Sequence, residues 1–350
     1  MIAAGGTAGH VVPALAVAGA LRAESAEVTF IGGERAESEL VPAAGFELRK
    51  ISVEAMSRSN PLLALRALGR ACGAFLHARS LLKELAPDAV LGGGGYVAGP
   101  VGLAAVTLRI PLVLSEADSH LGLTNRLLAH AARRVCLAFP LAGREGAGGH
   151  RYLVTGRPIP PVQEDRAGAR ERLGIAEEDT CVLVFGGSLG ARSINGAAVQ
   201  AFTGAAFGVL HVCGRRDYPE LSVRTLPPGY DLREYMHGED FADALAAADL
   251  VVARAGGSVF EIAAHGTPAI LVPYPHAAAD HQTANARWMA DAGAAIVIPD
   301  GELNGARLAR EVAVLLADHP RLAAMARASK RLAQPDAAKQ IAHELLEAAA

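Results

Sequence analysis

Two glycine-rich turns, each set directly behind a short apolar run, leave this chain few architectures. Gly5-Gly6-Thr7-Ala8-Gly9 follows Ile2-Ala3-Ala4, and Gly186-Gly187-Ser188-Leu189-Gly190 follows Val182-Leu183-Val184-Phe185. Such a turn between a strand and a helix lets the backbone approach a ligand. The first N–H groups of the helix lack internal partners and, with the helix dipole, form an anion site. In the second turn the strand, the turn and the helix through Ile194–Val199 are all legible. A tight βα turn that holds nothing has the same pattern, and at this level both readings stand. Ile2-Ala3-Ala4 is short beside an ordinary strand of ~5–6 residues, which suggests a mis-assigned start or a few missing residues.

The rest of the chain repeats the alternation. Val28–Ile31, Ala89–Leu91, Leu112–Leu114, Val182–Phe185, Leu250–Val252 and Ala269–Val272 read as buried strands, with helices expected over Leu62–Leu85, Leu123–Ala132 and Thr283–Ala292. Strands alternating with helices imply βαβ units and parallel sheets. With 350 residues and ~100–200 per domain, the expectation is an α/β protein of two Rossmann-like doubly wound domains facing a cleft, with ligands at the strand C-termini. Thr155-Gly156-Arg157-Pro158-Ile159-Pro160-Pro161 is the natural linker, stiffened by its prolines. The helical segment Asp336–Ala350 either closes the second domain or crosses back to the first.

Other classes can be set aside. Apolar content of 51% with a net charge of −3 excludes intrinsic disorder. The long uncharged run Ala89–Leu108 carries so many glycines that it reads as loop rather than as a membrane-spanning helix. Cys72, Cys136, Cys181 and Cys213 are scattered without zinc spacing and read as ordinary buried thiols of a reducing cytosol. Val11–Leu21 has no positively charged start, so a cytoplasmic protein is expected. There is no GxxxxGK[ST], so a P-loop enzyme is excluded. Gly93–Ala98 matches GxGxxA only within a glycine run and lacks the acidic ribose partner of a dinucleotide site. Glu116-Ala117-Asp118 is a single acidic pair and not a metal site.

The loops together carry a resemblance. Gly5-Gly6-Thr7-Ala8-Gly9-His10, Gly94-Gly95-Tyr96-Val97-Ala98-Gly99-Pro100, Gly122-Leu123-Thr124-Asn125 and Gly186-Gly187-Ser188-Leu189-Gly190-Ala191-Arg192 occur in order. Arg254-Ala255-Gly256 leading to Glu261-Ile262-Ala263-Ala264, and His281-Gln282-Thr283-Ala284-Asn285-Ala286, follow them. Over essentially its whole length the chain resembles the MurG family of peptidoglycan N-acetylglucosaminyltransferases. That resemblance implies a GT-B enzyme, inverting and with neither metal nor cofactor. It would move N-acetylglucosamine from UDP-GlcNAc to lipid I (undecaprenyl-pyrophosphoryl-MurNAc-pentapeptide) at the cytoplasmic face of the plasma membrane. It further implies an acceptor- and membrane-side domain over 1–157, a linker over 158–163, a UDP-GlcNAc domain over 164–334 and a C-terminal helix over 335–350. Partners implied are an anionic membrane surface and other cell-wall synthesis proteins, with no nucleic acid.

Carried over position by position, the resemblance makes Gly187 and Ser188 the diphosphate contacts and puts Arg157 close to the donor. Glu261 would accept from the ribose hydroxyls, and His281 and Gln282 would read the sugar. Thr7, Gly9, Tyr96 and Glu116 match acceptor-side or cleft positions, with Glu116 a catalytic candidate beside His10. A hydroxyl nucleophile needs a proton acceptor near neutral pH, which suits a histidine at the mouth of the first glycine loop; His10 could instead only hydrogen-bond the acceptor. Tyr96 could equally be a packed ring with a satisfied hydroxyl.

The chain departs from the family pattern at three places. Asp118 stands where the family usually has Asn; an ionised carboxylate accepts but cannot donate, and it could itself be the base. The Arg254–Glu261 loop is one residue shorter than usual, and Ser52–Ser59 lacks the usual basic Gly-Leu-Arg-type loop. Charge is also uneven, with 16 cations against 12 anions over residues 1–160 and 17 against 24 over 161–350. Arg49, Lys50, Arg58, Arg66, Arg70, Arg79 and Lys83 face only Glu54 between residues 49 and 83. Pro61, Leu62, Leu63, Leu65, Leu68, Phe75 and Leu76, interleaved with Arg66, Arg70 and Arg79, could form an apolar patch ringed by cations and suited to anionic lipid, or a core-facing helix with a charged outer face. The alternatives in function are a related GT-B enzyme acting on another lipid or metabolite, and a non-catalytic cell-wall scaffold.

Overall fold

The computed structural model describes residues 1–53, 61–140, 149–277 and 280–350, with backbone only for 61–71 and 149. The side chains of Pro61 to Leu68 and Arg70, and the loop residues Glu54 to Ser59, lie outside the described residues. The chain divides into two compact units, Met1–Ile159 with Gln334–Ala350, and Pro160–Ala333. The break thus falls inside the proline-rich stretch.

The first unit is built on β1 (Ile2–Ala3), β2 (Thr29–Gly32), β3 (Glu47–Lys50), β4 (Val90–Gly92), β5 (Leu112–Glu116), β6 (Arg134–Leu137) and β7 (Tyr152–Val154). Its helices are α1 (Ala8–Ala23), α2 (Glu37–Ala43), α3 (Pro61–Leu85), α4 (Gly95–Leu108) and α5 (Leu123–Leu128). The strands form one sheet in the order β3-β2-β1-β4-β5-β6-β7, parallel at every pairing. Side chains alternate across it, as the two-residue strand period requires. Ile2, Phe30, Leu91 and Val113 point into one core with Val11, Ala14 and Val17 of α1. Ala3, Ile31, Val90 and Leu112 point into the opposite core with Ala78 and Leu82 of α3 and Val97 and Val101 of α4.

Within the run Ala89–Leu108 the strand expected at Ala89–Leu91 is present as β4, whereas the glycine-rich remainder, expected as loop, is helix α4. Packing decides this, because a side chain at Gly102 would lie 2.6 Å from Leu128 Cδ1. The glycines therefore serve close approach of α4 and α5 rather than a turn. Helix α5 also stops earlier than expected, at Leu128, because Arg133 N–H already pairs with Leu112 C=O to open β6.

The second unit repeats the plan. It contains α6 (Arg166–Leu173), β8 (Cys181–Phe185), α7 (Arg192–Ala201), β9 (Gly208–Val212), α8 (Tyr218–Leu221), β10 (Tyr230–Arg233), α9 (Gly238–Ala247) and β11 (Leu250–Ala253). It continues through α10 (Val259–His265), β12 (Ala269–Leu271), α11 (His281–Asp291), β13 (Ala295–Val297), α12 (Gly305–Ala317) and α13 (His319–Arg331). Its parallel sheet runs β10-β9-β8-β11-β12-β13. The chain then returns to the first unit as α14 (Ala337–Ala349), whose Ile341, Ala342 and Leu345 sit in the same core as α1. An ion pair between Arg134 and Glu344 (2.7 Å) anchors it beside β6. Of the four cysteines expected to be buried, Cys136, Cys181 and Cys213 are, whereas Cys72 on α3 is exposed.

In each sheet the strand order reverses once, between β1 and β4 and between β8 and β11. Ligands of open α/β sheets bind beyond the strand C-termini at such a switch point. Both glycine-rich turns lie there.

Candidate active site

In the first unit, the start of α1 after β1, the end of β5 with its following loop, and the proline-rich stretch after β7 bring together Gly9, His10, Glu116, Asp118 and Arg157. His10 sits in the first turn of α1, and a side chain on Gly94 would come within 2.8 Å of its Nδ1. That Nδ1 is buried and has no hydrogen-bond partner among the described residues. Burial, then the Arg157 charge, lowers the His10 pKa below the ordinary imidazole value, with Asp118 opposing them. The ring is therefore neutral near pH 7 and able to take a proton.

Arg157 is buried, although it comes from the proline-rich stretch. Its guanidinium donates to the carbonyls of Gly9 and, at 3.2 Å, of Ala117, tying the start of α1 to the loop after β5. Thr7 is exposed at the N-cap of α1, with its hydroxyl not engaged in capping. Glu116 is buried and closes its own loop. It accepts from Asp118 N–H (3.2 Å), Gly122 N–H (2.9 Å) and Asn125 Nδ2 (3.0 Å). Burial raises its pKa and the like charge of Asp118 adds to that rise, while the three hydrogen bonds oppose it, leaving a net rise.

Tyr96 lies on the other side of the same switch point. Its hydroxyl donates to Glu37 (2.7 Å), and burial together with that carboxylate pushes its pKa up to about 12. Glu37 escaped the sequence reading. The available signal was an acid four residues after Gly33, at the start of a helix, which alone points to nothing more than a dipole partner.

In the second unit the turn after β8 carries Gly187 and Ser188, both exposed. Gly187 adopts φ +92°, open space surrounds the position of a missing Cβ, and its carbonyl accepts from Gly190 N–H (2.9 Å). This places a bare backbone turn ahead of α7, as anion binding at a helix start requires. Glu261 stands in the first turn of α10, and His281 opens α11. Gln282 accepts from Tyr274 N–H (2.9 Å), with its Nε2 4.0 Å from where a Gly256 Cβ would lie.

Two supports of this region stand in the quoted motifs, but the sequence assigned them no role. Asn285, one turn beyond Gln282 and buried, donates to Ala255 C=O (3.0 Å), while its Oδ1 has no partner among the described residues. Arg254 reaches the carbonyls of Val272 (3.0 Å) and Pro273 (3.1 Å), the hydroxyl of Ser193 (2.9 Å) and Asp300 (2.6 Å). It thereby fixes the ends of β11 and β12 against the start of α7. Among the described residues no three His, Cys, Asp or Glu side chains gather as a metal site.

Two parallel Rossmann-like sheets, each with a glycine turn at its switch point, are the GT-B fold, and the matching family models make the class glycosyltransferase. Residues 1–137 match the glycosyltransferase family 28 N-terminal domain and residues 181–341 its C-terminal domain. The chain belongs to the MurG family, the UDP-N-acetylglucosamine–N-acetylmuramyl-(pentapeptide) pyrophosphoryl-undecaprenol N-acetylglucosamine transferases. A relative of that name from Moorella thermoacetica is 41% identical, covering 99% of this chain and 98% of its own length. One from Halorhodospira halophila is 42% identical over 97% and 96%. Among solved structures, the crystal structure of Acinetobacter baumannii MurG aligns with a TM-score of 0.76 at 30% identity, covering 99% of this chain and 98% of that one.

Proposed function

We propose that this protein transfers N-acetylglucosamine from UDP-GlcNAc to the MurNAc C4 hydroxyl of lipid I, with inversion and without a bound metal, giving lipid II. The observation that carries the reading is His10, a neutral imidazole in the first turn of α1 at the switch point of the first unit. The acceptor oxygen attacks C1 of the sugar as its proton passes to His10. The bond from C1 to the diphosphate oxygen breaks, and its electrons leave on UDP. A single displacement from the face opposite the leaving group inverts C1.

Charge growing on the diphosphate has to be met by fixed dipoles. The open backbone at Gly187 and Ser188 ahead of α7 suits that task. Glu261 is assigned to the ribose, and His281 and Gln282 to the sugar hydroxyls. Arg157 holds Gly9 and the 117 carbonyl in place and contributes its charge beside His10. Thr7 and Asp118 are assigned to the acceptor, and Glu116 shapes the loop that carries Asp118.

The assay is lipid II formation and UDP release from UDP-GlcNAc and a lipid I analogue, run beside UDP-glucose and UDP-GalNAc, with and without chelator. Transfer from UDP-GlcNAc that survives chelation supports the reading. UDP-GlcNAc binding without transfer to lipid I would give the place to another acceptor or to a scaffold. Loss of activity with chelator, restored by magnesium or manganese, would overturn the metal-free mechanism.

The first unit is also proposed to rest on anionic lipid at the cytoplasmic membrane face. No helix among the described residues is long and apolar enough to cross a membrane. On α3, Leu76 is 62% exposed, whereas Phe75 packs on the core. Leu123 and Leu127, one turn apart on α5, are 56% and 67% exposed. Binding to anionic vesicles that weakens as salt rises is the expected result; no binding at low salt would remove the membrane role.

A further inference from the structure

Glu37 is completely buried, yet it belongs to neither glycine turn and has no part in the transfer chemistry. Its carboxylate gathers donors from three separate connections. Gly6 N–H after β1 reaches Oε2 (2.8 Å), while Gly33 N–H after β2 (2.9 Å) and the Tyr96 hydroxyl after β4 (2.7 Å) reach Oε1. Ala36 N–H returns a bond to Gly6 C=O (3.4 Å), so the link is made from both sides.

The local sequence is shaped around this carboxylate. A Cβ on Gly5 would lie 2.8 Å from Glu37 Oε1, and one on Gly33 would lie 2.0 Å from the Tyr96 oxygen. His10 lies between the two walls that Glu37 joins. It follows Gly6 by one turn on one side, and on the other its ring packs against Gly94, two residues before Tyr96.

We propose that Glu37 is the positioning residue of the acceptor half, an internal anion that locks the connections after β1, β2 and β4 into one frame and so sets the place of His10. A buried carboxylate with all its donors supplied is costly to disturb, since losing one donor leaves charge or N–H groups without partners. Burial alone would raise its pKa, but the bonds from Gly6, Tyr96 and Gly33 outweigh this and keep it ionised. The same carboxylate takes the Gly6 N–H, which sets this turn apart from the open one at Gly187.

The proposal rests on the reading of His10 as the acceptor-side base, and its test is chosen to stand apart from that reading. Glu37→Gln keeps an oxygen for Gly33 and Tyr96 but turns an N–H₂ towards the Gly6 N–H, so it breaks one link selectively. In that variant the His10 titration, followed by NMR of the imidazole, should move up towards the ordinary value as the ring gains water. In transfer kinetics, kcat/KM for the lipid acceptor should fall about tenfold or more, while the Kd for UDP stays within about twofold. Tyr96→Phe removes one donor without unpairing the carboxylate and should shift both readouts the same way, less far; it decides the matter if Glu37→Gln does not fold.

A folded Glu37→Gln protein with wild-type His10 titration and acceptor kinetics would overturn the proposal. So would parallel loss of UDP binding, which marks general damage. If the wild-type protein transfers nothing to lipid I, the functional reading falls, while the His10 titration still tests Glu37.

Discussion

His10 works as a base only when neutral, so its depressed pKa has a kinetic signature. The acid limb of kcat/KM for the acceptor should lie below the ordinary histidine value, from which burial and then Arg157 lower it. Asp118 acts in the opposite sense, so Asp118→Asn should move that limb to lower pH still. A limb at or above the ordinary histidine value would show the ring to be solvated or the base to be another group. A second histidine carries a stability prediction. His211 is buried between Asn195 Oδ1 (3.0 Å from Nε2) and the Tyr230 hydroxyl (2.7 Å from Nδ1). Because Asn195 Nδ2 already donates to Cys213 C=O and Asp217, its oxygen faces His211, which fixes Nε2 as the protonated nitrogen and Nδ1 as the acceptor. Burial lowers the His211 pKa to about 4. The folded-state value lies below the unfolded one, so this contribution is complete above about pH 6.5 and is lost as pH falls towards 4. The loss is on the order of 3 kcal/mol, read as a fall in the urea midpoint over that window. His211→Leu should flatten it.

At the scale of elements, the tightest point in the first unit is Gly95, which opens α4 with φ +76°. A Cβ there would lie 1.8 Å from Gly5 C=O. No rotamer relieves a clash with backbone, so Gly95→Ala should cost about 3 kcal/mol or more and show as a lower thermal midpoint. A midpoint unchanged from wild type would mean that the two turns do not meet there. This contact also shows where sequence reading stops. The strands β2, β4, β5, β8, β11 and β12 were legible because burial on both faces makes them continuous apolar runs. Strand β3, Glu-Leu-Arg-Lys, was not, since an edge strand with exposed faces has no such signature. The glycines of 92–102 were visible, but whether they mark a loop or a close helix contact depends on Gly5 and Leu128, residues brought near only by the fold. The same limit applies to the site. Motif residues such as His10, Gly187 and Gln282 stand out in one dimension, whereas Glu37, Arg254 and Asn285 acquire their meaning from partners on other connections.

For the whole molecule, the leading feature is the return of the chain. Ile341 and Leu345 of α14 lie in one core with Val11, Val17 and Phe30, joined from sequence positions at opposite ends of the protein. Leu345→Ala should cost about 2–5 kcal/mol, and the loss should appear in the unfolding of the first unit, with UDP affinity in the second unit unchanged. Glu344→Gln, which breaks the half-buried pair with Arg134, should cost about 1 kcal/mol. Equal destabilisation of both units by Leu345→Ala would contradict the assignment of α14 to the first unit.

This arrangement has a consequence for biosynthesis. A ribosome making the chain releases every strand of the second unit before it delivers α14. The first unit, although begun first, is therefore completed last, and its apolar α1 face waits uncovered through most of translation. Nascent chains stalled before Ala337 offer chaperones that face, and a stop codon there would yield a protein with one finished lobe and one sticky one.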